Sequence, residues 1–448
     1  MPSKQILLTF ICIFFSLNLL AQGGNITNAD TGAGEFTLMD AIKYALGNQP
    51  ALKQAYIDES IAYRNRNIAL FGWMPQVNGA ANLQHNFKLP TVFSTINGVL
   101  TPLTSGVVNT SIPQVTATQS LFTPDLFLAN KAARLGIKFS AEQITNTKIN
   151  LVANVSKAYY DVLSSLEQIN VYKEDTARLR KNLEDAHNRY LSGVSDKVDY
   201  KQATISLNNS MSQLKTASET VGAKYATLKM LMGYPADREL RLKFDTSAML
   251  RDIIVDTTGQ LRMERRIEYQ QLQTTRQMQR ETTLYYKLSA LPSIYGYYSY
   301  AEEFENNKFS DLYNRAYPYS YIGVQLNLPI FNGFRRTENV KKSKLQEERI
   351  DWDEVELKLN IYVQYRQALA AYKSNLYYLN TQHENVDMAR EVYDIVKLQY
   401  REGIKPYLDV IVAESDLQTS EINYQNALFQ LLKSKIDLEQ AMGDIPIE

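Results

Sequence analysis

Tyr190-Leu191-Ser192-Gly193-Val194 is answered, 210 positions further along the chain, by Tyr400-Arg401-Glu402-Gly403-Ile404. The same shift carries the apolar quartet Leu151, Val155, Ala158 and Val162 onto Ile361, Tyr365, Ala368 and Tyr372. It also carries Asp199 onto Asp409, Ala203 onto Ala413, and Met232-Gly233 onto Met442-Gly443. One offset held without a gap over about eighty residues is the mark of an internal duplication. Each quartet steps by four, three and four, which lays one apolar stripe along a helix with coiled-coil spacing. A proline-free helix is therefore predicted from about Leu126 to Tyr190, roughly 95 Å long at about 1.5 Å per residue. After a break at Gly193 a second helix is predicted from about Lys197 to Met232, stopped by Gly233-Tyr234-Pro235.

Upstream of the first long helix the period changes. Thr37-Leu38-Met39-Asp40 fits a capping box, and Pro50 suits the first turn of a helix running to about Phe71. From Val77 onward, Val77, Gly79, Ala81, Leu83 and Phe87 alternate with Asn78, Asn82, Gln84 and Asn86, which reads as a strand with one apolar and one wet face. A second strand is read from Val115, Ala117 and Leu121 against Gln114, Thr116, Thr118 and Ser120. The Thr, Ser, Gly and Pro-rich residues 88–112 between them read as a loop. The second half repeats the order. A helix resumes near Arg262 and ends before Pro292. A third strand follows at Ile294, Gly296, Tyr298 and Tyr300, then a polar loop over about 304–318, then a fourth strand at Ile322, Val324, Leu326 and Leu328. Glu302-Glu303-Glu305 reads as a solvated strand end.

The first residues, Met1-Pro2-Ser3-Lys4 and an apolar run from Ile6 to Leu20 closing on Ala21, read as a secretory signal. A membrane anchor is the alternative, but the run is shorter than the roughly 20 apolar residues a spanning helix needs. The expected division is a signal peptide over 1–21, a first repeat over 22–233, a linker over 234–261 and a second repeat over 262–448. The only cysteine, Cys12, falls inside the signal, which argues against disulfides and thiolate chemistry in the exported chain. Basic and acidic residues number 48 each, so no net field recruits nucleic acid. No later apolar run is long enough for a spanning helix, so a membrane-embedded part has to be a β-barrel. Four strands cannot close one, and an open edge in hydrocarbon leaves unpaired backbone groups at several kcal/mol each, so spanning requires oligomerisation.

The order of these features resembles the TolC family of outer-membrane efflux proteins over nearly the whole exported chain. The carrying residues are Thr37-Leu38-Met39-Asp40-Ala41 leading into Asn48-Gln49-Pro50, the junction Met74-Pro75-Gln76, Leu328-Pro329-Ile330-Phe331-Asn332-Gly333 and the two glycine turns. The resemblance implies a mixed α and β membrane fold. Four strands per chain would contribute to a trimeric twelve-stranded transmembrane β-barrel, and long helical hairpins would form a periplasmic α-barrel. It implies a homotrimer in the outer membrane and its lipid, extending into the periplasm. It further implies a passive exit duct in an efflux or type I secretion system, opened by a periplasmic adaptor protein and an inner-membrane pump or exporter.

Site residues follow from the same resemblance. The turns with Gly193, Val194, Gly403 and Ile404 are where the adaptor would dock. Asp199 and Asp409, with Asp196 beside them, fall at the periplasmic aperture, where symmetry copies of Asp409 would attract cations. The family's second aspartate, three positions beyond Asp409, is replaced here by Val412. Asp199, Tyr400 and Lys405 would form a breakable closure network. No cofactor, metal site or catalytic site is read. His85, His187 and His383 lie on different elements, and no carboxylate is joined to a base or nucleophile. The competing reading is an exported periplasmic structural or adaptor coiled coil, which accounts for the helices but not for four alternating strands.

Overall fold

The computed structural model describes residues 35–96, 98–243, 249, 253 and 261–447. The proposed signal peptide over 1–21 and much of the linker lie outside the described residues. The first element, α1 (Leu38–Asn48), opens on Thr37, whose hydroxyl accepts the Asp40 N–H while the Asp40 side chain accepts the Thr37 N–H. Helix α2 (Pro50–Phe71) carries its proline at the first turn, where no N–H is missed. Then come β1 (Gln76–His85), β2 (Thr91–Ile96), β3 (Val99–Thr104) and β4 (Asn109–Phe122). The first hairpin is α3 (Pro124–Leu191) and α4 (Lys197–Met232). The second half supplies α5 (Ile267–Leu288), β5 (Ser293–Asn306), β6 (Ala316–Asn327), α6 (Arg335–Arg401) and α7 (Tyr407–Met442).

The helix ends obey the sequence offset. The long arms α3 and α6 hold 68 and 67 residues, the short arms 36 each, and both hairpins turn at equivalent glycines. Each long arm spans about 100 Å, too long for a compact core. Its stripe is buried in two separate places. One cluster joins Val155, Tyr159, Leu163, Leu228, Leu428, Phe429 and Leu432 near the middle of the hairpins. There the Tyr159 hydroxyl donates toward the carbonyls of Phe36 and Lys243, tying α3 to the chain segments that flank α1 and α4. The second cluster, at the tips, gathers Ala186, Ala203, Tyr393, Tyr400, Tyr407 and Val410.

β1, β4, β5 and β6 form one antiparallel sheet in that order. Its register places Val77, Ala117, Tyr298 and Ile322 in one row, and neighbouring rows add Val115 with Tyr300, and Ile294 with Leu326. These side chains are turned outward: Val77 is 66%, Ile322 84% and Val324 68% exposed. The alternate rows are polar. Gln114 Nε2 donates to Ser299 Oγ at 2.6 Å, and Thr116 Oγ1 lies 3.4 Å from the same hydroxyl. A soluble sandwich would bury the apolar rows; this sheet presents them to its surroundings. On the other face the Tyr297 ring lies over Gly323, where an added Cβ would come within 2.6 Å of it.

Two loop expectations are corrected. Residues 88–112 do not form an irregular loop, because β2 and β3 pair within them from Thr91↔Thr104 to Ile96↔Val99. Threonines, valines and isoleucine favour extended backbone whatever the glycine and proline content around them. The polar loop over 304–318 is shorter than read, since β5 runs to Asn306, β6 begins at Ala316 and a short 3-10 turn, Phe309–Asn314, lies between.

Candidate functional site: the tips of the helical hairpins

Both hairpins reverse by the same device. At the end of α3, the Val194 N–H donates to the Arg189 carbonyl at 2.9 Å, and Gly193 takes φ 74°. At the end of α6, the Ile404 N–H donates to the Gln399 carbonyl at 2.9 Å, and Gly403 takes φ 77°. These six-to-one bonds close Schellman turns and satisfy carbonyls that the helix end would orphan. No atom lies within 4 Å of a Cβ added at either glycine, so the left-handed backbone alone requires glycine there. The turns push Val194 and Ile404 outward as exposed apolar points.

After the turns the repeats diverge. Asp196 caps α4, its Oδ1 accepting the Val198 N–H at 3.2 Å, whereas Pro406 holds the equivalent place before α7. Asp199 is half-buried. Its carboxyl is held above the usual range, first by burial and then by the charge of Asp196, with Arg189 partly offsetting both. The Tyr400 hydroxyl is also raised, by burial and then by the negative charge of Asp199, so the two expected partners do share one environment. Lys405 is placed elsewhere: its Nζ lies 2.8 Å from Asp409 Oδ2, one turn along the same chain segment. The expected set of three is therefore split within the chain into an Asp199 and Tyr400 neighbourhood and a Lys405 and Asp409 pair.

The structure adds a residue that the sequence reading missed. The Arg189 guanidinium sits 5.0 Å from the centre of the Tyr400 ring, and its Nη1 donates to the Arg401 carbonyl at 3.0 Å. Arg401 returns the contact, with Nη2 3.2 Å from Asp185 Oδ2. The ends of α3 and α6 are thus clasped in both directions. Below this clasp Tyr400 packs on the buried Tyr407, with ring centres 5.2 Å apart. The Tyr400 hydroxyl and the neighbouring Ser195 hydroxyl are buried without a well-formed hydrogen bond.

Several turns above the tips a second polar cluster crosses the seam between the hairpins. Arg178 Nε donates to Glu414 at 2.7 Å and its Nη2 to Glu421 at 3.2 Å. Arg390 reaches the other oxygen of Glu421 at 3.1 Å. Asp175, almost fully buried, accepts from Ser210 Oγ and from Gln418 Nε2, each at 2.6 Å. Burial pushes its carboxyl up to about 6, Glu414 adds to the rise, and the Ser210 bond and Arg178 oppose it. Asn182 bonds both Tyr393 and Glu414. The clue in the sequence was heptad spacing: Asp175 to Asn182, and Glu414 to Glu421, are each seven apart and interrupt an apolar seam.

No helix among the described residues is long and apolar enough to cross a membrane. The part of the molecule suited to lipid is the outward-facing apolar sheet, which makes this a chain that meets a membrane by strands and projects long helical hairpins away from it. The family model described as outer membrane efflux protein matches residues 41–234 and 289–444, and the chain belongs to that family. It is an outer-membrane efflux duct component with a periplasmic extension. It is 20% identical over 422 residues to outer membrane protein TolC of Vibrio cholerae serotype O1, covering 91% of each chain. It is 23% identical over 423 residues to outer membrane efflux protein BepC of Brucella suis biovar 1, covering 91% of this chain and 85% of that one. Among solved structures it superposes on CusC with a TM-score of 0.75 at 17% identity, covering 90% of this chain and 91% of that one.

Proposed function

We propose that three copies of this chain close a twelve-stranded barrel in the outer membrane and continue it as a periplasmic α-barrel through which cargo leaves passively. The observation that carries this is the pair of sheet edges: β1 and β6 have no partner on their outer sides among the described residues, while the apolar face between them is exposed. In lipid those edges must be paired, and pairing β6 of one copy with β1 of the next closes the ring without a crossover. The exposed apolar residues of the long helices, among them Leu359, Tyr377, Leu398 and Ile205, gain cover in the same assembly.

In this reading residues 22–233 and 262–448 are two structural repeats joined by the segment 234–261, preceded by a signal over 1–21. The hairpin tips form the inner end of the duct. Val194 and Ile404 on their glycine turns dock a periplasmic adaptor, Asp199 and Asp409 line the aperture, and an inner-membrane pump or exporter supplies the energy. The Arg189 and Tyr400 clasp belongs to the closed state together with Asp199.

The test is to purify the protein, measure its mass in detergent and record single-channel current in a planar bilayer. A trimer that inserts and passes small cation-selective currents is expected. A monomer, or a trimer that never inserts, would overturn the reading in favour of a periplasmic coiled coil.

A further inference from the structure

The hairpin of β2 and β3 is placed as an extension of the sheet beyond its rim. Asn86 N–H donates to the Val108 carbonyl at 2.7 Å and Ser105 N–H to the Pro90 carbonyl at 3.0 Å, so the β1 and β4 ladder runs on into it. The third strand does not follow: pairing of β4 with β5 ends at Asn109↔Asn306. The ribbon therefore projects as two strands only, at the end of the sheet opposite the long helices. Its register puts Val92, Leu103, Ile96 and Val99 on one face, and Phe93, Pro102 and Leu100 on the other. Both faces are open, with Phe93 67%, Val99 65% and Leu100 65% exposed. An isolated two-stranded hairpin is marginal in water, and an apolar patch on both of its faces calls for a covering surface.

Charge distinguishes the occupants. From Leu89 to Pro124 the sequence has no Asp, Glu, Lys or Arg, whereas the neighbouring end of β5 carries Glu303 and Glu305, and its connection to β6 carries Lys308, Asp311 and Arg315. Identical segments meeting on a symmetry axis bring like charges together, so a segment free of charge is the one suited to meet its own copies. Length agrees. Six residues per strand reach about 20 Å at about 3.3 Å each. A barrel of three four-stranded sheets, with strands about 4.8 Å apart and tilted about 40°, has a radius of about 12 Å. The ribbon also leaves the barrel beside β1, the edge that meets the next copy.

We propose that the β2 and β3 ribbons of the three copies fold over the outer mouth of the barrel and pack on one another, forming an apolar seal at the end of the duct opposite the hairpin tips. This rests on the trimeric barrel proposed above. The seal is made of second and third copies of this chain, not of lipid or an external protein.

The only cysteine is Cys12, so a Cys12→Ser chain gives a thiol-free background for Phe93→Cys and Val99→Cys, one on each face of the ribbon. In native-size trimers in detergent, at least one of these variants should be joined between copies by a short bismaleimide. In the Arg189→Ala background, which loosens the tips, the double variant Phe93→Asp with Leu100→Asp should raise single-channel current by about twofold or more, because three pairs of carboxylates cannot stay packed and dry. Trimers that give no crosslink with either cysteine, or whose current the charged variant leaves unchanged, would overturn the seal while leaving the duct intact. Absence of a trimer in the unsubstituted protein would overturn both readings, and the mass measurement separates the two cases.

Discussion

Arg189 places its guanidinium 5.0 Å from the centre of the Tyr400 ring while its Nη1 holds the Arg401 carbonyl, so one side chain of the first hairpin grips the last turn of the second hairpin's long arm. An arginine over an aromatic face contributes about 0.5–1 kcal/mol at partly exposed sites. Removing it should shift the balance between closed and open tips by about two- to fivefold. Arg189→Ala is expected to raise channel open probability in bilayer recordings by that factor. Tyr400→Phe keeps the ring and the clasp, and removes a hydroxyl that has no well-formed partner, so its open probability should stay near that of the parent. A larger effect from Tyr400→Phe than from Arg189→Ala would sink the clasp.

The glycine turns give a stability prediction with an internal control. Placing a Cβ at a left-handed position costs about 1–2 kcal/mol, and at Gly193 and Gly403 it meets no neighbouring atom. Gly193→Ala and Gly403→Ala should therefore each lower the unfolding free energy by about that amount, additively, since the strain is local. Val194→Asp and Ile404→Asp change only exposed side chains and should leave unfolding unchanged. If these points dock the adaptor, the aspartate variants should weaken its crosslinking to the tips without altering trimer mass.

Much of this architecture was legible because long periodic elements are hard to misread. Capping residues set the bounds of α1 and α2, and α4 begins and ends where Lys197 and Met232 place it. Strand alternation gave the wet and apolar faces that the register then aligned row by row. What escaped was set by contacts between distant segments. By sequence Arg189 is one basic residue in a helical last turn, and only the return of α6 brings Tyr400 beneath it. The Lys405 pairing escaped too: within this chain its Nζ meets Asp409, one turn away, a contact the resemblance did not name. The hairpin of β2 and β3 was hidden by reading composition where β-branched content decided.

The buried seam makes a pH prediction whose sign follows from Asp175. Its carboxyl stands at about 6 in the folded chain against 3.8 as its ordinary value. The folded state therefore binds this proton more tightly than the unfolded state, and stability falls as pH rises from about 4 through about 6. Asp175→Asn keeps an acceptor for Ser210 and Gln418 and removes the charge. The variant should be at least as stable as the parent at pH 7.5, by up to about 2 kcal/mol, and should flatten the pH dependence of its melting temperature between pH 4 and 6. A variant that is less stable at pH 7.5 would show that the Arg178 attraction outweighs burial.

Arg178 should behave oppositely. It is the donor that compensates Glu414 and one oxygen of Glu421, both carboxylates being buried between the hairpins. Removing one member of a buried ionic cluster leaves the others uncompensated and costs about 3–5 kcal/mol. Arg178→Ala is expected to show that loss in denaturant unfolding at neutral pH. Arg178→Met with Glu414→Leu should recover part of it, because apolar side chains of similar volume replace a buried pair with little penalty.

Lys405 and Asp409 lie 2.8 Å apart, so in the proposed trimer a cation would already sit on the carboxylate that three copies present to the throat. Each pair is then nearly neutral, and the throat's field is weaker than three aspartates alone would make it. Lys405→Ala exposes those charges, whereas Asp409→Ala leaves three lysines. Reversal potentials measured across a salt gradient should therefore shift toward stronger cation selectivity in the lysine variant and toward anion selectivity in the aspartate variant. Both shifts should shrink as ionic strength rises, because the Debye length falls to about 3 Å at 1 M. Shifts of the same sign in the two variants would place the Lys405 and Asp409 pair away from the conducting path.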